Sequence, residues 1–292
     1  MVFFHTNSSL SATVETILNN TWKQFPLLGK NEIALTLIID DKNNSSLQGY
    51  SYRGDEKIYP ASVVKLFYLV AVEAWLEEGK VKSSSEFDRA VRDMIIESSN
   101  DATSLVIDTL TQTTSGYELP EAEFQQWQKQ RNLINDYFQG YHWEEFNPIN
   151  VNQKTWCDGA YGRERMFLGE NYENRNMLTT NAVARLFYSI MNDLVVTNKA
   201  CEKMRNLLKR DASQKLLEEN EEENQINGFL GESLPNDAQI WSKAGWTSKV
   251  RHDCAYINLP DSPPYLLVVF TEGKAGRDRT LLPFVSQQFL TI

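Results

Sequence analysis

The stretch Pro60-Ala61-Ser62-Val63-Val64-Lys65 decides how this chain is interpreted, because it places a hydroxyl and an amine one helical turn apart. An almost continuous apolar run follows, from Leu66 to Leu76, and ends near Gly79. Proline favours the first turn of a helix and glycine its C-terminal cap, so the pattern predicts a helix between them. Because this helix is apolar on every face, we expect it to be buried in the middle of a domain.

The chemistry of the stretch follows from this geometry. Residues three apart share a helix face, so Ser62 and Lys65 are predicted to face the same space. Desolvation and the positive end of the helix dipole should lower the pKa of Lys65, and a neutral amine could take the proton of Ser62. Roughly one S-x-x-K is expected by chance in a chain of this length, so the pair needs support from elsewhere.

Composition narrows the classes of partner. The chain has 292 residues and a formal charge of −10, with no basic cluster, which argues against nucleic acid and anionic membranes. The apolar run is too short for a membrane span and contains Glu73. Small molecules or proteins are the expected partners, and we expect a monomer.

The cysteines and the N-terminus add two expectations. Cys157, Cys201 and Cys254 form no C-x-x-C pair and are odd in number, so we expect free thiols and no zinc site. No metal or organic cofactor is implied. The first residues, Met1 to Asn7, lack a basic segment followed by an apolar one, which predicts a cytoplasmic protein. If an export signal has been removed, the location would be periplasmic or secreted.

Periodicity predicts strands at both ends of the chain and helices between them. The predicted strands are 33–39, 47–53, 238–244, 251–259 and 265–271, and the predicted helices after the central one are 85–96, 103–110, 120–138, 179–192, 200–208 and 278–290, with a first helix from Ser11 to Trp22. The interval from Gly140 to Leu178 has no steady period, and a loop that long usually covers a site. The acidic run Glu218 to Glu223 is expected to be a solvated surface. One sheet assembled from both termini, with a helical insert, follows from this order.

Two further short stretches complete a set of motifs. Ser98-Ser99-Asn100 falls between two predicted helices, and Lys243-Ala244-Gly245 ends a predicted strand. With Ser62-Val63-Val64-Lys65 they resemble, in the same order, the S-x-x-K, S-D-N and K-T-G motifs of class A β-lactamases and penicillin-binding proteins. The segments 94–102, 177–182 and 250–255 extend the resemblance over nearly the whole chain.

The resemblance implies a fold and a set of roles. The fold would be α/β (α+β), a three-layer α/β/α arrangement with an antiparallel five-stranded sheet, in which residues 1–61 and 236–292 form the α/β part and 62–235 the helical part of one structural unit. The catalytic residues would be the nucleophile Ser62, its base Lys65, the proton carrier Ser98 and its electrostatic support Lys243. Asn100 and Gly245 would bind substrate, and the N–H groups of Ser62 and Trp246 would form the oxyanion hole.

Departures from the family pattern leave two roles open. Ser99 replaces the usual aspartate, Ala244 replaces the usual threonine or serine, and the spacing from Ser62 to Ser98 is short. Since Ala244 has no hydroxyl, we predict that Thr247 or Arg251 binds the substrate carboxylate. No clean E-x-x-L-N is present, so the deacylating base is predicted at Glu164, with Glu170 as the alternative.

The motifs and their departures from the family pattern are compatible with three candidate functions. The first is a serine hydrolase that cleaves a cyclic or peptide amide such as a β-lactam through an acyl-enzyme on Ser62. The second is a D-alanyl-D-alanine peptidase, and the third is a weakly catalytic penicillin-binding or sensing module. Slow release of the acyl group would favour the third.

Overall fold

The computed structural model describes residues 2–43, 46–155, 159–213, 224–260 and 262–290. Cys157 and the acidic run Glu218 to Glu223 lie outside the described residues. Within these ranges the chain forms one antiparallel sheet of six strands, in the order β2-β1-β6-β5-β4-β3. The strands are β1 (Ile33–Ile39), β2 (Gln48–Tyr52), β3 (Lys209–Asp211), β4 (Gln239–Trp246), β5 (Arg251–Asn258) and β6 (Tyr265–Thr271).

The expectation of five strands is corrected to six, and the additional strand shapes the site. β3 lies inside the segment predicted to be wholly helical, and it pairs with the start of β4, Lys209 opposite Trp241 and Asp211 opposite Gln239. Three residues are too few to show an alternating pattern, which is why the sequence did not reveal it. Because β3 covers only the first three residues of β4, the remainder of β4 is an open edge among the described residues.

Ten α-helices surround the sheet in the described part of the chain. They are α1 (Ser8–Gln24), α2 (Lys65–Glu77), α3 (Ser85–Ile95), α4 (Asn100–Thr111), α5 (Glu121–Arg131), α6 (Leu133–Gln139), α7 (Gly162–Leu168), α8 (Thr180–Met191), α9 (Asn198–Leu208) and α10 (Leu281–Gln288). Short 3₁₀ turns occupy Ala61–Val64, Glu144–Phe146 and Ala275–Arg277.

Local hydrogen bonds explain where two helices depart from prediction. α1 begins before Ser11, because Asn7 Oδ1 accepts a hydrogen bond from Leu10 N at 2.8 Å and caps the helix there. The single helix predicted from 120 to 138 is two helices that meet at Asn132, whose side chain accepts from Asn135 at 3.2 Å and from Asn152 at 2.7 Å.

Two apolar layers enclose the sheet and confirm the three-layer α/β/α class. α1 and α10 pack on one face, together with Phe229 and Leu230. α2 and the other helices of the insert form the larger core on the opposite face. Every residue of α2 from Lys65 to Trp75 is buried, as the almost continuous apolar run predicts, and the burial includes Lys65 and Glu73. Within the described ranges no helix combines the length and the apolar character that crossing a bilayer requires.

Candidate active site

Ser62 lies in the 3₁₀ turn that leads into α2, and this turn packs against β4. Its neighbour Ala61 has a φ of 46°, a left-handed conformation that an alanine adopts only when its surroundings hold it there. A Cβ atom on Gly245 would lie 2.7 Å from Pro60 O and 2.8 Å from Ser62 N. Glycine is therefore required at position 245, because the backbone of β4 approaches the backbone of this turn directly.

The Lys65 side chain is fully buried beneath the second motif. Its Nζ donates hydrogen bonds to Ser98 O at 2.5 Å, to Asn100 Oδ1 at 3.0 Å and to Ser98 Oγ at 3.3 Å. All three of these contacts are to residues of the second motif. The predicted juxtaposition of the first two motifs is thus present, with the amine held against Ser98.

Ser98 connects two buried amines. Its Oγ accepts from Lys65 Nζ and, at 3.0 Å, from Lys243 Nζ. Its φ of 55° turns the chain between α3 and α4. The following residue, Ser99, caps α4 by accepting from Ala102 N at 3.2 Å, a task that the shorter hydroxyl performs where the family has aspartate. The three motifs therefore converge on one hydroxyl.

Lys243 is held by a residue that no motif signalled. Its Nζ donates to Gln225 Oε1 at 2.7 Å and to Ala244 O at 2.7 Å. Gln225 also donates through Nε2 to Ile95 O and Ile96 O, at 3.2 and 2.9 Å, and so ties β4 to the end of α3. Burial, followed by the positive charges of Lys65 and Arg210, holds the pKa of Lys243 well below its ordinary value.

The open edge of β4 presents a backbone donor beside Ser62. Ala244 N donates outward to Gln225 Oε1 at 3.3 Å, so the N–H groups of even-numbered residues point away from β5. Thr247 N bonds across the hairpin to Val250 O at 2.9 Å, which fits the same alternation. The N–H of Trp246 therefore faces the open edge. The Ser62 N lies on the turn that Gly245 contacts, so the N–H groups of Ser62 and Trp246 belong to neighbouring backbone segments, and an oxyanion hole requires two such donors.

Glu164 is placed in a buried ionic cluster. Its carboxylate lies 2.5 Å from Arg131 Nη2 and 3.8 Å from Lys154 Nζ, and accepts from Ser115 Oγ at 2.9 Å. Asp108 completes the cluster, with Lys154 Nζ at 2.5 Å and Arg131 Nη2 at 3.4 Å from its carboxylate. Burial raises the pKa of Glu164 in spite of the two cations, but its Oε1 is engaged by Arg131, Lys154 and Ser115, so the group is poorly placed to take a proton from a water beside Ser62. The role of Glu164 as deacylating base stays a prediction, which these contacts do not favour.

The alternative base, Glu170, is an exposed residue on the loop after α7. Its backbone carbonyl accepts from Arg165 Nη2 at 3.3 Å. The structure thus gives neither Glu164 nor Glu170 a contact with Ser62, Lys65 or Ser98 among the described hydrogen bonds and ion pairs.

Arg251 lies on the face of the sheet opposite Ser62. Opposite partners in β4 and β5 share a face, and Gly245 pairs with His252 whereas Trp246 pairs with Arg251. The Arg251 guanidinium packs 4.7 Å from the ring centroid of Phe229 and donates to Gly228 O at 3.4 Å. The role of Arg251 in binding the substrate carboxylate stays a prediction, which this placement does not favour. Of the two residues predicted to bind a carboxylate, Thr247 alone lies at the exposed end of β4.

His252 and Asp253 are buried supports of the site. His252 Nδ1 accepts from Thr271 N at 3.0 Å, so its Nε2 carries the hydrogen that Tyr59 O accepts at 2.9 Å. Burial lowers the pKa of His252 to about 4 and raises the pKa of Asp253 to about 7. At pH 7 the His252 ring is therefore neutral and the Asp253 carboxyl is about half protonated, on the strand next to the one that carries Gly245.

Two of the three cysteines are described, and both are buried free thiols, Cys201 and Cys254, as expected. Across the described ranges no group of three or more His, Cys, Asp or Glu side chains is arranged to hold a metal ion.

Fold and site together define the class of β-lactamase-like and penicillin-binding-protein-like chains, in which a serine and a lysine begin a buried helix beside the edge of an antiparallel sheet. A family model described as "Beta-lactamase enzyme family" matches residues 86–287, more than half of the chain, so the chain belongs to this family. The match begins after Ser62 and Lys65, so it does not cover the first motif. A comparison with curated proteins gave no match.

Solved structures share the fold at low sequence identity. A mutant of PBP-A, as its acyl-enzyme complex with penicillin G, is 17% identical with a TM-score of 0.67, over 99% of this chain and 97% of that one. A β-lactamase from Sphaerobacter thermophilus is 15% identical with a TM-score of 0.65, over 93% and 94%. A β-lactamase from Chitinophaga pinensis is 13% identical with a TM-score of 0.65, over 95% and 96%. At these identities the likeness shows the fold.

Proposed function

We propose that this chain is a serine hydrolase that opens a cyclic or peptide amide, such as a β-lactam, through an acyl-enzyme on Ser62. The observation that carries the proposal is the chain of contacts from Lys65 through Ser98 to Lys243 beside the turn that holds Ser62. Two buried amines that share one hydroxyl repel each other, and loss of a proton from the pair relieves that repulsion.

The proposed acylation uses these residues in sequence. Lys65 takes the hydroxyl proton of Ser62, and Ser62 Oγ forms a bond to the carbonyl carbon. The oxyanion is stabilised by the N–H groups of Ser62 and Trp246. The carbon–nitrogen bond then breaks, and the nitrogen receives a proton from Ser98, which is resupplied by Lys65. Lys243 stabilises Ser98 electrostatically throughout, and Asn100 holds the amide of the substrate.

Deacylation is proposed to be slow. It requires a base to position and activate a water molecule, and the contacts of Glu164 engage it with Arg131 and Lys154 instead. This observation favours a weakly catalytic penicillin-binding module as the second candidate function. The substrate is proposed to be a small molecule bearing an acyl group. A D-alanyl-D-alanine peptidase remains the alternative, and release of D-alanine from an acyl-D-alanyl-D-alanine peptide would distinguish it.

Stopped-flow kinetics with nitrocefin test the proposal. We expect a rapid phase with an amplitude equal to the enzyme concentration, followed by slow turnover. Ser62→Ala should abolish both phases, whereas Ser9→Ala, an equally small change at an exposed position of α1, should leave them unchanged. Residues that act as a unit lose activity together, so Lys65→Ala should resemble Ser62→Ala. Nitrocefin hydrolysis by Ser62→Ala at the native rate would contradict the proposal.

A further inference from the structure

A cleft with a strongly basic lining lies beside Tyr59. Two cavities of about 430 and 490 Å³ meet there, and both are lined by Tyr59, Arg175 and Lys249. The basic residues that line the two cavities are Arg165, Arg175, Lys249, Lys274 and Arg277, with one carboxylate, Glu272. We name this region the Tyr59 cleft. In a chain whose formal charge is −10, such a local excess of positive charge favours an anionic ligand.

The central cation of the cleft is held in place by the sheet. The Arg175 guanidinium stacks 3.5 Å from the ring centroid of Tyr59, whose backbone oxygen accepts from His252 of β5. A guanidinium fixed in this way loses little conformational entropy when it binds an anion. Among the described residues none of Arg175, Lys249, Lys274 and Arg277 forms a salt bridge.

The direction of β4 places the cleft relative to the reacting atoms. Lys243 contacts Ser98, Gly245 contacts the Ser62 turn, and Thr247 lines the cleft. A strand rises about 3.3 Å per residue, so the cleft begins about 13 Å from Lys243, on the side of Ser62 away from Ser98. In the proposed reaction the nitrogen departs towards Ser98. The acyl group must therefore extend in the opposite direction, towards Tyr59.

We infer that the Tyr59 cleft makes the enzyme selective for substrates whose acyl group carries a negative charge, such as a carboxylate. This inference rests on the proposed function, because it assigns a preference within the same reaction. Arg175 provides the fixed contact, and Lys249, on the hairpin after β4, provides a second charge close to it. The carboxylate thus recognised belongs to the acyl part of the substrate, not to the part that departs with the nitrogen.

Three penicillins that differ chiefly in one substituent of the acyl chain provide matched probes. This substituent is hydrogen in benzylpenicillin, a carboxylate in carbenicillin and an ammonium group in ampicillin. Second-order acylation rate constants should fall in the order carbenicillin, benzylpenicillin, ampicillin. Because salt screens charges, added salt should reduce the differences among the three acylation rate constants. Lys249→Gln should lower the ratio of carbenicillin to benzylpenicillin about threefold, and Lys249→Glu should lower it further.

Two more variants make the test specific. Arg175→Gln should lower the same ratio, whereas Lys199→Gln, which removes an exposed charge from α9, should leave it unchanged. Equal acylation rates for the three penicillins, or a ratio unaffected by Lys249→Glu, would overturn the inference and leave the proposed function intact. Failure of all three to acylate the protein would instead overturn the proposed function and, with it, this inference.

Discussion

The contact between Gly245 and the Ser62 turn provides a sharp test of how the site is held. Alanine at this position would place its Cβ 2.7 Å from Pro60 O and 2.8 Å from both Ser62 N and Val63 N. All three are backbone atoms, so no side chain can rotate out of the way. To bring the shortest contact to an ordinary 3.4 Å, β4 and the turn must separate by about 0.7 Å.

This separation should affect catalysis more than stability. Overpacking of a buried site costs about 1 to 3 kcal/mol, which should leave Gly245→Ala folded. The same displacement moves Ser62 N relative to Trp246 N, and loss of one oxyanion donor reduces a rate by about 10²- to 10³-fold. We therefore expect acylation to slow about 100-fold while the free energy of unfolding falls by 1 to 3 kcal/mol.

Urea unfolding and stopped-flow acylation by nitrocefin measure the two effects separately. Gly140→Ala is the matched control, because Gly140 has an ordinary helical conformation, φ −62° and ψ −18°, and its nearest contact would be 3.2 Å, to Tyr137 O. It should change the free energy of unfolding by no more than about 0.5 kcal/mol. If Gly245→Ala acylates as fast as Gly140→Ala, the backbone contact does not position the nucleophile and the reasoning is wrong.

Three further predictions concern the supports of the site. Gln225→Leu removes an acceptor from Lys243, which should lower the pKa of that amine and move the alkaline limb of the acylation pH profile to lower pH. Gln225→Glu places a negative charge there and should move the limb to higher pH. A shift in the same direction for both variants would show a merely structural role. Glu164→Gln removes the carboxylate that lies 2.5 Å from the buried Arg131 Nη2 and leaves Asp108, at 3.4 Å, as the remaining charged partner of that arginine. This variant should lower the free energy of unfolding by about 1 to 3 kcal/mol without changing nitrocefin turnover, and selective loss of turnover would identify Glu164 as the base. Because the folded-state pKa of His252 is about 4 and its ordinary value is 6.5, the contribution of this residue to the free energy of unfolding should be fully present above pH 6.5 and fall by about 3 kcal/mol as the pH drops from 6.5 through 4. Asp253, whose pKa is raised to about 7, changes stability in the opposite direction, so the contribution of His252 is measured as the difference in urea unfolding between the unaltered protein and His252→Gln at each pH.

The sequence predicted the elements whose residues carry their own periodicity. The hairpin of β1 and β2, strand β6 and the buried helix α2 all occur within a residue or two of the expected bounds, except that the first turn of the central helix is 3₁₀. β1, β6 and α2 are almost wholly apolar runs that burial favours, whereas β2 is marked by the turn-forming residues that precede it. The motif residues Lys65, Ser98 and Lys243 are brought together as the resemblance implied.

What the sequence did not predict depends on long-range contacts. α7 lies in an interval without a period, and its Glu164 is buried by Arg131 and Lys154, which are distant in sequence. Gln225 follows an acidic run and belongs to no motif, so nothing local marks it as the residue that joins β4 to α3. The face of Arg251 depends on the register of β5 against β4, which a single strand does not reveal.

The identity of the nucleophile is the central claim, and mass spectrometry after incubation with penicillin G tests it most directly. Intact mass should increase by one penicillin G molecule, and peptide mapping should locate the adduct on the peptide that contains Ser62. The Ser62→Ala variant should gain no mass, while Ser9→Ala should be modified like the unaltered protein. An adduct that persists on Ser62→Ala, or one that maps to another residue, would contradict the account.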